Sequence, residues 1–128
     1  MDSRETAQPQ NLFIGVNEPL SANNWSDLEK KHVPVIEAPD EVALGEWFDV
    51  KVDVGGQLPH PNERRHFVQS IDLYADETLL GRADFTAVRT CPCASFRVSL
   101  EWPAKELRAY QYCNLHGTWL GRKAIKVL

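Results

Sequence analysis

Phe48-Asp49-Val50-Lys51-Val52-Asp53-Val54-Gly55-Gly56 alternates apolar and charged residues for seven positions and then stops at two glycines. A period of two puts Phe48, Val50, Val52 and Val54 on one face of a strand, with Asp49, Lys51 and Asp53 on the other. The same reading extends outward. Ile71 and Leu73 flank Asp72 within Phe67–Ala75, and Leu79–Phe85 follows as a further candidate strand. Phe96, Val98 and Leu100 alternate with Ser95, Arg97 and Ser99; Leu107–Cys113 and Arg122–Leu128 complete the series. His32–Ile36 reads as a short strand that His32 opens, with Pro34 marking an edge or an irregular start. About seven short strands, separated by Gly, Pro, Asn and Asp, with no long helical pattern, predict an all-β, immunoglobulin-like antiparallel sandwich.

Residues 1–28 differ in character. They are polar, with Pro9, Pro19 and Ser21-Ala22-Asn23-Asn24, and their apolar cluster is Leu12-Phe13-Ile14. They read as an extended N-terminal arm lying on the domain or on a partner subunit, ahead of a domain spanning 29–128. For residues 1–10 a disordered tail is the competing reading. Ser26 is placed to cap a short helical turn over Asp27-Leu28-Glu29-Lys30.

A chain of 128 residues is the size of one domain and buries roughly two-thirds of its unfolded surface, so it needs no disulfide or metal to fold. With 43% hydrophobic and 25% charged residues it has a globular composition. The net charge of −4 argues against nucleic acid or an acidic membrane as partner. No apolar run reaches the roughly 18 residues of a membrane span. The start carries no basic region followed by an apolar stretch, and the three cysteines lack disulfide-scaffold spacing. The expected setting is therefore a reducing cytoplasm.

The chemistry concentrates in four histidines and one cysteine. His32, His60, His66 and His116 all fall at predicted strand–loop junctions, where a sandwich displays functional groups at its rim. His60 and His66 bracket Pro61-Asn62-Glu63-Arg64-Arg65 and could turn two imidazoles inward from one loop. Cys113-Asn114-Leu115-His116 is a Cys-x-x-His pair across a tight turn, and the Leu115 and His116 N–H groups can aim back at the sulfur. Each signal alone is weak, since packing and surface positions account for most lone histidines and Cys-x-x-His pairs. Together they offer four imidazoles and one thiolate, one more donor than closed structural zinc takes. That set suits iron or copper with a position left open.

These residues resemble a known family. Lys31-His32-Val33-Pro34-Val35-Ile36-Glu37 resembles the Glu-Lys-His-Val-Pro-Val-Ile signature of the superoxide reductases, the neelaredoxin and desulfoferrodoxin family. His60-Pro61-Asn62 with His66, then Ile71-Asp72-Leu73-Tyr74, Gly81-Arg82-Ala83-Asp84-Phe85-Thr86 and Tyr112-Cys113-Asn114-Leu115-His116-Gly117-Thr118-Trp119, resemble the blocks that follow, in family order from about 29 to 127. The resemblance implies a mononuclear iron cycling between Fe2+ and Fe3+. Its ligands by matching position are His32, His60, His66 and His116 around the metal, with Cys113 axial. It implies one-electron reduction of superoxide to hydrogen peroxide, re-reduction by a donor such as rubredoxin, and a dimer or tetramer. Lys31 is the matched residue for attracting superoxide or orienting a proton-donating water. Lys30 stands beside it, where many members carry a Glu that ligates ferric iron. Glu29, one residue further back, would reach the metal only if its loop shifted. An electron carrier or redox sensor on the same fold is the alternative, and a structural or zinc-binding protein a further one.

Several other residues carry less information. Cys91-Pro92-Cys93 reads by default as two small loop residues; a redox pair or a second metal site are the functional readings, and a Cys-x-Cys disulfide is strained, with Pro92 restricting it further. Trp47, Trp102 and Trp119 are expected to pack the sandwich, Trp119 with a possible place at the site rim. Arg64-Arg65 reads as a solvated loop face.

Overall fold

The computed structural model describes residues 13–128; the arm-or-tail question over residues 1–10 lies outside them. Among the described residues one short helix, α1 (Asp27–His32), precedes nine strands: β1 (Val35–Glu37), β2 (Glu41–Val42), β3 (Phe48–Asp53), β4 (Val68–Ala75), β5 (Thr78–Asp84), β6 (Cys93–Val98), β7 (Glu106–Cys113), β8 (Gly117–Ala124) and β9 (Lys126–Val127). Two antiparallel sheets, β1-β3-β6 and β5-β4-β7-β8, face one another, and a short parallel pair, β2-β9, accompanies them. This is the predicted immunoglobulin-like sandwich.

The alternating residues make its core. Phe48, Val50 and Val52 from β3 meet Ile71, Leu73 and Ala75 from β4 and Leu107 and Ala109 from β7, all buried. Burying each larger aliphatic side chain contributes about 1.5–3 kcal/mol. The inward stripe of β7 continues past Ala109 to Gln111 and Cys113, also buried. The periodicity that builds the core thus delivers a thiol to one end of the sandwich.

Three sequence expectations are corrected. His32 does not open a strand; it closes α1, and the strand begins at Val35. Ser26 and Glu29 form a reciprocal capping box that starts the helix. Pro34 ends it by forcing Val33 into an extended conformation (φ −69°, ψ 122°). The last long strand begins at Gly117 rather than Arg122. Its inner half is buried on consecutive residues, Trp119, Leu120 and Gly121, so no alternation shows in the sequence. Trp47 is 61% exposed and packs in no core, whereas Trp102 lies against the core and Trp119 is buried.

Asn17 and Glu18 are anchored on β8. Asn17 pairs in parallel with Trp119 at the β8 edge, donating its N–H to the Thr118 carbonyl (2.9 Å) and accepting from the Leu120 N–H (2.9 Å). Glu18 pairs with Arg122 at 2.8 Å. A Cβ at Gly121 would overlap the Pro34 carbonyl, so glycine there allows the segment after α1 to lie directly on β8.

Candidate metal centre

Three local structures converge on one rim of the sandwich. The first is the C-terminal end of α1. His32 Nδ1 lies 2.7 Å from the Leu28 carbonyl one turn back, which requires the proton on Nδ1 and leaves the Nε2 lone pair free to face the rim. The second is the loop between β3 and β4. His60 Nδ1 lies 2.6 Å from the Pro61 carbonyl and is fixed in the same tautomer. Gly55, at φ 83°, lets this loop fold over His60, since a Cβ there would stand 2.5 Å from the His60 nitrogen. Glu63 and His66 exchange two backbone hydrogen bonds (2.9 and 3.0 Å), closing a tight turn that leaves Arg64 and Arg65 exposed at its tip. The third is the β7–β8 hairpin, where Cys113 pairs with Gly117 (φ 78°) and the three intervening residues end in His116.

The four imidazoles form a nearly square ring. Centroid distances around it are 4.7 Å (His32–His60), 4.8 Å (His60–His66), 4.8 Å (His66–His116) and 4.9 Å (His116–His32), with a His32–His66 diagonal of 6.2 Å. Neighbouring rings stand nearly perpendicular, at 83°, 74°, 78° and 82° in the same order. Donor atoms of His32, His60, His66 and Cys113 all lie within 4.8 Å of one another. His116 joins through Nδ1, which is 3.1 Å from His32 Nε2. All five expected donors are therefore gathered at one place.

The donors are chemically prepared for a cation. His60 Nε2 and His66 Nε2 are buried with no hydrogen-bond partner, a costly condition that a bound metal ion would relieve. Burial lowers the pKa of His32 and of His60 to about 4, against opposing hydrogen bonds from Leu28 and Pro61, with the other histidines lowering it further. Burial, then His116, also lowers His66. Imidazoles held neutral in this way keep the lone pairs that a metal needs. Burial pushes the Cys113 thiol upward, while the N–H groups of Leu115 and His116 pull it back; the latter lies 3.3 Å from Sγ. Both N–H contacts were foreseen from the Cys-x-x-His spacing.

Lys31 and Lys30 separate. Lys31 is close enough to depress protonation of both His60 and His66 by its charge. Lys30 lines a polar cleft with Asn23, Asn24 and Gln57. Glu29 is buried and turned away into the arm: Oε1 accepts the Ser26 N–H (2.7 Å) and Oε2 the Leu20 N–H (2.8 Å). It could approach the histidines only by giving up both.

The sequence reading assigned no role to Gln111, Asn114 or Asn62, and gave Trp119 a packing role with a place at the site rim. Trp119 stacks on His32 at 5.0 Å and donates from Nε1 to the His116 carbonyl (2.9 Å). Gln111 Nε2 donates to the His32 carbonyl (2.9 Å). Asn114 ties the hairpin to the His66 turn, accepting from the Phe67 N–H (2.9 Å) and donating to the Arg65 carbonyl (2.9 Å). Asn62 ties the His60 loop to the segment before β6, donating to the Thr90 carbonyl (3.2 Å) and accepting from the Val88 N–H (2.7 Å). Asn62, Asn114 and Trp119 stand inside the quoted motifs, which was the available signal; Gln111 could be found only by following the β7 stripe to its end.

The chain is similar to known proteins over most of its length. The sequence profile of the family described as Desulfoferrodoxin matches residues 24–122. A relative from Methanocaldococcus jannaschii is 40% identical over 118 residues, covering 88% of this chain and 95% of the relative. The superoxide reductase of Pyrococcus furiosus is 37% identical over 122 residues, covering 81% and 94%. The solved structure of the superoxide reductase (neelaredoxin) from Ignicoccus hospitalis superposes with a TM-score of 0.76 at 37% identity, covering 88% of this chain and 95% of that one.

Proposed function

The chain belongs to the desulfoferrodoxin family and is an oxidoreductase of the superoxide reductase kind, and from that premise we propose that it reduces superoxide at a mononuclear iron held by His32, His60, His66, His116 and Cys113. The observation that carries this reading is the square of four imidazoles with the Cys113 thiol beside it. Bound iron would supply one electron to superoxide, which with two protons becomes hydrogen peroxide.

The remaining work falls to the chain itself. His32 and His60 are held in orientation by the Leu28 and Pro61 carbonyls, which leaves their Nε2 atoms available to an ion that would bind there. The N–H of His116 steadies the Cys113 sulfur and moderates its charge. These five donors would hold the ion and leave room beside it for a small substrate. Lys31 places a positive charge beside that rim, where it draws the superoxide anion and can hold a water for proton delivery; Lys30 adds to the field from the neighbouring cleft. Residues 29–128 form the iron-binding domain in this reading and residues 1–28 its arm, with α1 spanning the junction. A rubredoxin-type donor and a homo-oligomer are what the family resemblance implies, and three cysteines without disulfide-scaffold spacing support a reducing, cytoplasmic setting. No helix of the described residues is long and apolar enough to cross a membrane.

The test is stoichiometric. The purified protein should hold about one iron per chain, and superoxide should oxidise the ferrous form rapidly with peroxide as product. An iron protein that superoxide does not oxidise would be the carrier or sensor instead, and a zinc protein would remove both readings. Cys113→Ser should remove the thiolate-to-iron colour of the ferric form without unfolding the sandwich. Persistence of that band would exclude Cys113 as the ligand.

A further inference from the structure

Cys91-Pro92-Cys93 takes no part in the histidine cluster, yet its geometry is specific. The Cys93 N–H donates to the Cys91 carbonyl at 2.8 Å, a γ-turn centred on Pro92. Proline fixes φ near −65°, close to the roughly −75° that the inverse γ-turn requires, so Pro92 sets the bend in advance. The bend brings the two Sγ atoms to 3.2 Å with both thiols free. A disulfide bond is about 2.05 Å long, so closure needs sulfur movement of only about 1 Å. The restriction that Pro92 imposes therefore favours the approach of the sulfurs. The turn is pinned from outside: the Pro92 carbonyl accepts the Val54 N–H (3.0 Å), and Cys93 opens β6 opposite Asp53. Cys91 is exposed and Cys93 half-buried, so the two sulfurs are not equivalent.

We propose that Cys91 and Cys93 form a redox-active dithiol that reduces small-molecule disulfides, a second redox site separate from the metal centre. The exposed Cys91 thiolate attacks one sulfur of the incoming disulfide. The S–S bond of that molecule breaks, one thiol leaves, and Cys91 carries a mixed disulfide. Cys93 then attacks the Cys91 sulfur and releases the second thiol. In sum two electrons and two protons pass from the dithiol to the disulfide, and an intramolecular Cys91–Cys93 bond forms. The hydrogen bond shared with Cys93, then burial, and the negative charge of Cys93 and Asp53 push the Cys91 thiol above its ordinary range, while Lys51 acts the other way. Cys113, 2% exposed inside the metal cluster, stays out of the exchange.

The experiment treats the full chain with graded mixtures of reduced and oxidised glutathione, traps free thiols by alkylation, and maps the products by mass spectrometry. The wild type should form a reversible bond within the peptide containing Cys91 and Cys93 as the mixture becomes oxidising. Cys93→Ser should stop at the glutathione adduct on Cys91, accumulating at least about tenfold more of it than the wild type. Cys91→Ser should lose most of the exchange. Wild-type protein that accumulates the adduct without closing, that cross-links only between chains, or that stays unreacted throughout would overturn the proposal. Because glutathione exchange is read independently of superoxide, failure here leaves the metal-centre reading untouched, and the reverse holds too.

Discussion

Trp119 stacks on the His32 imidazole, with centroids 5.0 Å apart and planes 28° from parallel, and the same indole donates to the His116 carbonyl at 2.9 Å. One side chain therefore positions two candidate ligands that lie 84 residues apart in sequence. Removing partners that orient metal ligands commonly costs 10–100-fold in affinity. Trp119→Phe should keep most of the stacking and lose the hydrogen bond. The expected result is a ferrous-ion affinity about tenfold weaker, with the fold retained. Competition against a chelator would measure it, and an unchanged affinity would show that the indole only packs.

Glu29 belongs to the helix start. Its carboxylate accepts from Ser26 and Leu20 at 2.7 and 2.8 Å and is buried where it does so. Glu29→Ala should therefore cost about 1–2 kcal/mol of stability, as loss of a cap and of charge-assisted hydrogen bonds does. The ferric spectrum and its pH dependence should stay nearly unchanged. Denaturant titration and visible spectroscopy on the same variant separate the two effects. A large spectral change with little loss of stability would mean that Glu29 enters the metal's coordination.

The fold was legible because β3 and residues 95–100 alternate with a period of two, and the donor set because His60 and His66 bracket one short segment while Cys113, at the end of β7, stands three residues before His116. The position of His32 was harder to read. Its neighbours Val33, Val35 and Ile36 favour strand, and only the Ser26–Glu29 capping box and Pro34 reveal that a helix ends there. Trp47 looked like core because aromatics usually are, but it stands just ahead of β3 and nothing local in the sequence marks it as exposed. Gln111 reads as a polar interruption of a strand. Its hydrogen bond to the His32 carbonyl exists only once β7 and α1 have met.

The lowered histidines make the metal-free protein sensitive to acid. His32 and His60 titrate at about 4 when folded and near the ordinary 6.5 when unfolded. Between those values the unfolded chain binds more protons, so stability falls as pH drops through this window and levels off below the folded values. Urea midpoints of the metal-free protein should fall steadily from about pH 7 to about pH 5, above the range where ordinary carboxylates titrate. The iron-loaded protein should start from a higher midpoint and show a slope at least as steep there, because the ion keeps protons off the same lone pairs in the folded state and is lost on unfolding. A flat midpoint in the metal-free protein across that range would rule out the buried, neutral imidazoles.

Lys31 faces the opposite electrostatic problem. Superoxide is an anion, and the chain carries a formal charge of −4, so the overall field repels the substrate slightly. A positive charge at the rim of a cleft can raise the encounter rate by roughly tenfold or more. Lys31 is near enough for its charge to act on His60 and His66, while Lys30 lines the cleft with Asn23, Asn24 and Gln57. Lys31→Ala should therefore slow oxidation of the ferrous centre by superoxide several-fold, and Lys30→Ala should slow it less. The Lys31 effect should shrink as salt rises, since the Debye length is only about 10 Å at 0.1 M. Pulse radiolysis at low and moderate ionic strength measures both the rate and its salt slope. Equal rates and equal slopes for Lys31→Ala and the wild type would show that Lys31 does not guide the substrate, and a lower rate with an unchanged slope would assign it to proton delivery instead.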